Sequence, residues 1–261
     1  MDLGLSGKVA FVAASTSGLG RASALKLAAE GARVFVTGRT EGRVQTVVEQ
    51  VLKAGGVADG AVMDVEDLAS VEHAAATCEA AFGPIDVLVL NGPGPRPGKP
   101  TTVRPVDVDE AMNRLVKPHI ALINRCLPHM QKQGWGRIIA VGSVAVQTPS
   151  EQLVLSSMGR MALAGYLKAL SLEVGASGVT VNVVHPGRIL TPRIDQLDAD
   201  AAQREGVSPQ EVRERFENSI PVKRLGDPEE LAAAVVFYAS KAAGYITGTG
   251  LRVDGGSTPV L

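Results

Sequence analysis

The chain has few aromatic residues and few cysteines. Phe, Trp and Tyr together make up 3% of its 261 residues, and tyrosine occurs only at Tyr166, Tyr238 and Tyr245. The two cysteines, Cys78 and Cys126, lie in segments of helical periodicity and have no C-x-x-C or Cys/His metal spacing around them. This pattern argues against a metal site and predicts two buried thiols.

An excess of either charge is also missing, since 26 Lys and Arg stand against 27 Asp and Glu. A net charge of -1 gives no basic footprint for nucleic acid and no polybasic membrane patch. No apolar segment reaches the ~18 residues of a membrane span, and residues 1–7 lack the basic-then-apolar pattern of a targeting signal. We therefore expect a cytoplasmic protein that binds a small molecule rather than a nucleic acid or a membrane.

The chain does contain a regular alternation of short apolar runs, rich in β-branched residues, with longer stretches of helical periodicity. This alternation predicts parallel strands joined by crossover helices. Strands are predicted at residues 9–13, 33–37, 60–63, 87–90, 137–141, 180–184 and 250–253. They form one α/β, three-layer, Rossmann-type doubly wound sheet, because runs that are apolar on both faces suit strands covered by helices on both sides. Without a linker or repeat, residues 1–261 are predicted to be a single domain.

Two segments interrupt this alternation. Residues 93–105 are rich in Pro and Gly and follow the fourth strand, so they predict an irregular loop at the carboxyl edge of the sheet. Residues 191–221 are charged and contain two helical patches. Insertions of this length are often lids, and we expect a substrate lid at residues 191–218. The alternative is a plain pair of surface helices.

The first strand runs directly into a turn of small residues, Ala14-Ser15-Thr16-Ser17-Gly18-Leu19-Gly20, and a helix follows at once. Small residues let the backbone approach a pyrophosphate, and the helix N-terminus offers free N–H groups and the positive end of a dipole. This strand–turn–helix order predicts a nucleotide site.

Further motifs stand at later strand ends: Asp64-Val65, Asn91-Gly92, residues 181–187 with Thr191, and residues 245–248 with residues 253–256. Together with the glycine turn, they resemble the short-chain dehydrogenase/reductase family, of the type that includes 3-oxoacyl-carrier-protein reductases. The resemblance covers nearly the whole chain. It implies a nicotinamide cofactor and a homotetramer in which the helices around residues 107–133 and 150–174 pack against symmetry mates.

The resemblance also assigns the cofactor contacts. They fall on Ala14, Ser15, Thr16, Gly18, Leu19, Gly20, Arg39, Asp64, Val65, Asn91, Gly92, Arg160, Pro186, Gly187, Ile189 and Thr191. The family usually carries a T-G-x-x-x-G-x-G turn, whereas Ala13 and Ala14 occupy its first two positions here. Alanine can replace glycine if that residue does not need a positive φ.

The end of the second strand predicts the cofactor. An Asp or Glu there would bind the adenosine 2′-hydroxyl and repel a phosphate, but this chain has Gly38-Arg39. Arg39, helped by Ser15 or Thr16, is placed to pair with a 2′-phosphate. We therefore expect NADP(H) rather than NAD(H). The alternative is a solvated surface arginine.

In the resembled family, an Asn, a Ser, a Tyr and a Lys carry the chemistry. Ser143, just after the fifth strand, falls at the serine position. Alignment of the following helix puts Ser156 at the tyrosine position and Arg160 at the lysine position, while Leu115 stands where the asparagine is expected. The chain therefore lacks the Tyr-x-x-x-Lys pair, and Ser143, Ser156 and Arg160 are its predicted catalytic residues.

Other residues could replace the missing acid. Tyr166 and Lys168 are two residues apart on one helix, so they point about 200° away from each other and cannot form the pair. His185 and, less favourably, His119 lie near the expected nicotinamide position, and histidine is chemically suited to proton transfer.

Four basic residues, Arg96, Lys99, Arg160 and Arg188, could form a cationic rim around the pocket. Such a rim would favour an acidic substrate that bears a carboxylate or phosphate. Ordinary solvated loop charge is the alternative interpretation.

Three functions fit these observations. The first is an NADP(H)-dependent oxidoreductase acting on a carbonyl or secondary alcohol with an atypical proton donor. The second is a redox-inactive NADP(H)-binding sensor or scaffold. The third is a non-redox lyase or isomerase that uses the same pocket. Loss of a positioned general acid typically costs ~10²–10⁴-fold in rate, so slow or differently routed reduction remains compatible with the sequence.

Overall fold

The computed structural model describes residues 2–260 and shows the predicted alternation of strands and helices. The strands are β1 (Val9–Val12), β2 (Arg33–Gly38), β3 (Val57–Val62), β4 (Val87–Leu90), β5 (Gly136–Val141), β6 (Val179–Pro186) and β7 (Gly250–Val253). The helices are α1 (Gly18–Ala29), α2 (Glu41–Lys53), α3 (Leu68–Phe82), α4 (Pro105–Leu115), α5 (Lys117–Gln133), α6 (Val154–Val174), α7 (Pro192–Glu205), α8 (Pro209–Ser219) and α9 (Pro228–Ala239).

The strands form one parallel sheet in the order β3-β2-β1-β4-β5-β6-β7. The prediction of a single-domain, Rossmann-type α/β fold with a seven-stranded parallel sheet is confirmed. β3 begins at Val57 rather than at the predicted Gly60. Its residues are exposed or partly exposed because β3 is an edge strand, so the apolar run that signals a buried strand is missing there.

Two apolar cores lie on opposite faces of the sheet. Neighbouring residues of β1 point into different cores, because side chains alternate along a strand: Phe11 packs on one face and Val12 on the other. The Phe11 core includes residues of α3, α5 and α6, and the Val12 core includes residues of α1, α2 and α9. Cys78 and Cys126 are free thiols buried in the first core, as predicted, and burial raises the pKa of both.

The order of the strands creates a crevice at the carboxyl edge of the sheet. β1 pairs with β2 on one side and with β4 on the other. The sheet therefore extends from β1 in both directions, with β2 and β3 on one side and β4 to β7 on the other. In doubly wound sheets, ligands bind at such a switch point. The turn after β1 and the loops after β4, β5 and β6 therefore meet at one place.

The two irregular segments follow the predicted pattern. Residues 93–105 contain only a short 3-10 turn, Pro100–Thr102, before α4 begins. The two helical patches in residues 191–221 are α7 and α8. Within residues 2–260, no helix is long and apolar enough to cross a membrane, and no cluster of three His, Cys, Asp or Glu side chains could hold a metal ion.

Candidate active site

A cleft of about 850 Å³ opens at the carboxyl edge of the sheet. Its wall contains every predicted catalytic and cofactor-binding residue except Ser15, Gly20 and Asp64. The predicted residues in the wall are Ala14, Thr16, Gly18, Leu19, Arg39, Val65, Asn91, Gly92, Ser143, Ser156, Arg160, Pro186, Gly187, Ile189 and Thr191. The motifs that are scattered along the sequence thus meet in one cavity.

We call one part of the cleft the glycine-turn end, formed by residues 14 and 16–19 with Gly38, Arg39 and Arg43. Ala14 has a φ of 48°, so the position does need the left-handed conformation that alanine was expected to avoid. Its N–H donates to Thr37 Oγ1 at 3.1 Å, and its carbonyl accepts from Asn91 Nδ2 at 3.0 Å. These bonds hold the residue in a conformation that costs an L-residue about 1–2 kcal/mol.

Three residues predicted to contact the cofactor lie outside the cleft wall. Ser15 is fully buried, and its hydroxyl donates to the Val12 carbonyl at 2.7 Å, so it cannot help Arg39 bind a phosphate. Gly20 is buried, and a Cβ there would lie 2.4 Å from the Ala14 carbonyl oxygen, so this glycine permits close packing of the turn. Asp64 accepts a hydrogen bond from the Glu66 N–H at 3.0 Å and shapes the turn after β3.

Arg39 lies in the cleft wall beside Thr16, as the sequence predicts, and Arg43 on the first turn of α2 joins it. Gly38 is needed here because a Cβ would lie 2.5 Å from Thr16 Cγ2. Neither arginine takes part in the ion pairs of residues 2–260. Two positive charges thus face the cleft at the place where β2 ends.

We call the other part the serine–arginine end, formed by Ser143, Ser156, Arg160 and Arg193. Arg160 Nε donates to Ser156 Oγ at 3.3 Å, and Arg160 Nη1 donates to the Val141 carbonyl at 2.6 Å. The helical spacing of four residues puts Ser156 and Arg160 on one face of α6. Burial, followed by the nearby charge of Arg193, lowers the pKa of Arg160 to about 10.

The described residues that line the cleft include six arginines and no Asp, Glu, His, Lys, Cys or Tyr. All three tyrosines lie elsewhere. Tyr166 packs against the Phe11 core, Tyr238 shares a hydrogen bond with Thr249 at 2.9 Å, and Tyr245 is fully exposed. The cleft wall therefore contains positive charge and hydroxyl groups but no side chain that exchanges a proton near neutral pH.

The two histidines considered as proton donors are buried and do not line the cleft. His185 Nδ1 lies 3.0 Å from the Ser143 carbonyl, and His119 Nδ1 lies 2.7 Å from the Leu115 carbonyl. Burial lowers the pKa of both rings below the usual value. Burial therefore favours the neutral form of both rings, and neither ring lines the cavity.

The predicted cationic rim is only partly correct. Arg96 lines the cleft but pairs with Asp107 at 2.7 Å, and Lys99 is not part of the wall. Arg188 pairs with buried Asp198 and also lies outside the wall. Its place at the rim was wrong because the acid that neutralises it lies ten residues further along the chain, in α7.

Sequence reasoning missed three arginines in the wall: Arg43, which lies beside Arg39, and Arg114 and Arg193. Arg114 pairs with Glu66 at 2.7 Å. Arg193 Nη2 donates to the Pro95 carbonyl at 3.0 Å and so joins α7 to the loop after β4. The sequence did contain one indication that Arg193 belongs to the site: it stands two residues after Thr191, in the segment predicted as a lid.

Asp198 fixes the position of α7 and α8. It is 1% exposed and accepts from both Arg188 and Arg213, the latter at 2.9 Å. The guanidinium of Arg188 also lies 3.5 Å from the centre of the Phe216 ring on α8. The contacts of Asp198 and Arg188 therefore hold α7 and α8 in place, while the N-terminal residues of α7 face the cleft.

Comparison with known proteins agrees with this arrangement. A family model described as Enoyl-(Acyl carrier protein) reductase matches residues 13–258. The chain belongs to the short-chain dehydrogenase/reductase family. The prediction of this family from the strand-end motifs is confirmed.

Relatives within the short-chain dehydrogenase/reductase family resemble the chain over almost its full length. Short-chain reductase protein NovJ of Streptomyces niveus is 38% identical over 252 residues, which cover 95% of this chain and 93% of NovJ. The 3-oxoacyl-(acyl-carrier-protein) reductase FabG of Escherichia coli (strain K12) is 35% identical over 254 residues, covering 96% and 97%. The crystal structure of YwfH, an NADPH dependent reductase involved in bacilysin biosynthesis, has a TM-score of 0.93 and 29% identity, covering 97% and 99%. These relatives are reductases.

Proposed function

We propose that this short-chain dehydrogenase/reductase is an NADP(H)-dependent oxidoreductase that acts on a carbonyl or secondary alcohol without a tyrosine acid. The observation that carries the proposal is a single cleft with a nucleotide turn at one end and the Ser143, Ser156 and Arg160 group at the other. The reductase names of the relatives support the same class of reaction.

The glycine-turn end fits NADP(H). The N-terminus of α1 and the small residues of the turn can receive a pyrophosphate, because the first N–H groups of a helix have no partner within it. Arg39 and Arg43 would hold the 2′-phosphate, and NADP(H) would then outcompete NAD(H). The remaining contacts would come from the walls after β4 and β6, including Asn91, Gly92 and Ile189.

The bound nicotinamide would supply or accept a hydride at the carbonyl carbon. Negative charge then develops on the substrate oxygen, and the charge of Arg160 with the Ser143 and Ser156 hydroxyls would stabilise it. Such prearranged donors need no reorganisation as the charge develops. Arg160 cannot release its proton under ordinary conditions, so its role is electrostatic.

The atypical proton donor is then water that enters through the open cleft. This follows from the composition of the described cleft wall, in which no side chain titrates near neutral pH. The same composition argues against a lyase or isomerase, because those reactions need a positioned acid or base.

The segment 191–218 would act as the substrate lid, since its first residues form one wall of the cleft. A homotetramer is proposed as well, with α6 and its neighbours packing against symmetry mates. Met158, Met161 and Leu172 on α6 support it, because all three are large apolar residues exposed to solvent.

A redox-inactive NADP(H)-binding protein is the second candidate, and the absence of a titrating side chain in the described wall favours it. The two functions are separated by titration with NADPH and NADH, followed by nicotinamide absorbance with a panel of 3-oxoacyl thioesters, ketones and quinones. Turnover that falls in a Ser143→Ala variant supports the oxidoreductase. Tight NADPH binding without turnover across the panel would establish the sensor instead.

A further inference from the structure

The positive charges of the cleft can be assigned to partners one by one. The wall holds Arg39, Arg43, Arg96, Arg114, Arg160 and Arg193 and no acidic side chain. Asp107 pairs with Arg96 as well as with Arg104 outside the wall, and Glu66 pairs with Arg114. The proposed 2′-phosphate uses the two arginines of the glycine-turn end. Arg160 and Arg193 remain, both at the serine–arginine end.

Neither of these two arginines pairs with a carboxylate of residues 2–260. Arg160 donates only to Ser156 Oγ and the Val141 carbonyl. Arg193 donates to Gln196 Oε1 at 3.1 Å and to the Pro95 carbonyl at 3.0 Å. Burial lowers the pKa of both; the charge of Arg193 lowers that of Arg160 further, while the nearby charge of Asp200 partly offsets the effect on Arg193. Two partly buried cations that line the same cleft without an ion-pair partner favour the binding of an anion beside them.

The backbone adds to this positive potential. Arg193 stands in the first turn of α7, a helix of 14 residues whose N-terminal residues line the cleft. Thr191, at the N-cap, provides no side-chain hydrogen bond to the helix. The first turn also contains Asp195, but that carboxylate pairs with Arg213 at 2.6 Å, so Arg193 stands without an acidic partner at a helix end that favours negative charge.

We propose that Arg193, together with Arg160, binds a carboxylate of the substrate. The inference rests on the proposed function for the position of the substrate, and it specifies the substrate class as a short oxo acid or hydroxy acid. The reacting oxygen would lie against Ser143 and Ser156 while the carboxylate lies against α7. Because Ser156 and Arg160 are in contact, the carboxylate and the carbonyl must be separated by only a few bonds.

The test compares acids with their neutral amides in the presence of NADPH. Binding of pyruvate against pyruvamide, and of acetoacetate against acetoacetamide, is measured from the change in fluorescence of bound NADPH, and KM is measured wherever turnover occurs. We expect wild type to prefer each acid by at least about tenfold, as charge-assisted bidentate hydrogen bonds do.

The decisive variant is Arg193→Gln, with Arg204→Gln as the matched control because Arg204 is exposed near the other end of the same helix. Arg193→Gln should weaken the binding of each acid much more than the binding of its amide, and so remove the acid preference. Arg193→Lys should restore part of it, since lysine keeps the charge but loses the planar fork. Arg204→Gln should behave as wild type.

Two outcomes would overturn the proposal. If Arg193→Gln weakens NADPH binding and leaves the acid preference intact, the arginine serves the cofactor. If wild type binds no acid more tightly than its amide, the site does not exist. The readouts separate this inference from the proposed function, because turnover of neutral ketones without acid preference contradicts only the inference. Acid-selective binding without turnover contradicts only the proposed reaction.

Discussion

The two ends of the cleft differ in what forms them. The glycine-turn end depends on backbone: N–H groups at the start of α1, a left-handed turn at Ala14 and close approach at Gly20. The serine–arginine end depends on side chains, with Arg160 held between Ser156 Oγ and the Val141 carbonyl. A backbone site tolerates a changed side chain as long as the path of the chain is kept. A side-chain site changes its chemistry with each substitution, so this is where the chain can differ in function while the fold is kept.

The largest effect should come from Arg160, because within residues 2–260 it is the only cation that contacts the hydroxyl of Ser143 or Ser156. We expect Arg160→Gln to lower kcat/KM by about 10²–10³-fold, the usual loss when a donor to a developing oxyanion is removed. NADPH affinity should change much less, since the 2′-phosphate is proposed to bind at the other end. Steady-state kinetics and an NADPH titration measure the two quantities separately.

The control for this experiment is Lys168→Gln on the same helix. Lys168 is exposed and donates to the Gly248 carbonyl at 3.1 Å, away from the cleft. Its variant should keep wild-type kinetics. If Arg160→Gln keeps full turnover, the charge of Arg160 does not stabilise the developing oxyanion. The serine–arginine end would then depend on its side chains less than this comparison of the two ends requires.

Arg39 should give the next largest effect, and at the opposite end. Arg39→Ala removes a positive charge expected to contact the 2′-phosphate, so NADPH affinity should fall about ten- to hundredfold while NADH affinity stays constant. The measurement is fluorescence titration with both nucleotides. Arg21→Ala is the control, because Arg21 lies outside the cleft and bonds to Gln50 at 2.7 Å. An unchanged NADPH preference would mean that Arg39 is a solvated surface residue.

The pH profile should reveal which groups titrate at the serine–arginine end. Arginine normally keeps its charge above pH 12, but burial lowers the pKa of Arg160 to about 10. The charged form is the one required, so kcat/KM should be constant through neutral pH and fall as pH rises through about 10. Thermal unfolding across the same range separates this loss from denaturation.

A different profile would point to a histidine. Burial lowers the pKa of His119 and His185 below 6.5, and a protonated donor would lose its proton as pH rises through that lower value. Activity that falls as pH rises within the acidic range, below pH 6.5, would therefore identify one of these rings as the acid. In that case, His185→Gln and His119→Gln would show which ring is responsible.

The fold could be predicted from the sequence because strand runs such as Val87–Leu90 are apolar on both faces and stand between helical segments. The residues of the glycine-turn end could be predicted from short motifs at the ends of strands. The direction of the side chains in the turn after β1 could not be predicted. The Ser15 hydroxyl points inward and donates to the carbonyl of Val12 in β1. Arg193 was missed because its contact with Pro95 joins residues 98 positions apart, and no local pattern encodes such a pair.

The smallest effect, on stability alone, should come from Ala14. Its φ of 48° is costly for alanine and free for glycine, so Ala14→Gly should stabilise the fold by up to about 1 kcal/mol after the greater flexibility of unfolded glycine is counted. Chemical denaturation measures this change.

Gly20→Ala in the same turn should destabilise the fold, because its Cβ would lie 2.4 Å from the Ala14 carbonyl oxygen and 2.6 Å from Asn91 Nδ2. NADPH binding should survive the first change and fail with the second, since a site formed by backbone depends on the path of the chain and not on the identity of the side chain. Loss of NADPH binding in Ala14→Gly would show that the Ala14 methyl group itself contributes to the nucleotide site.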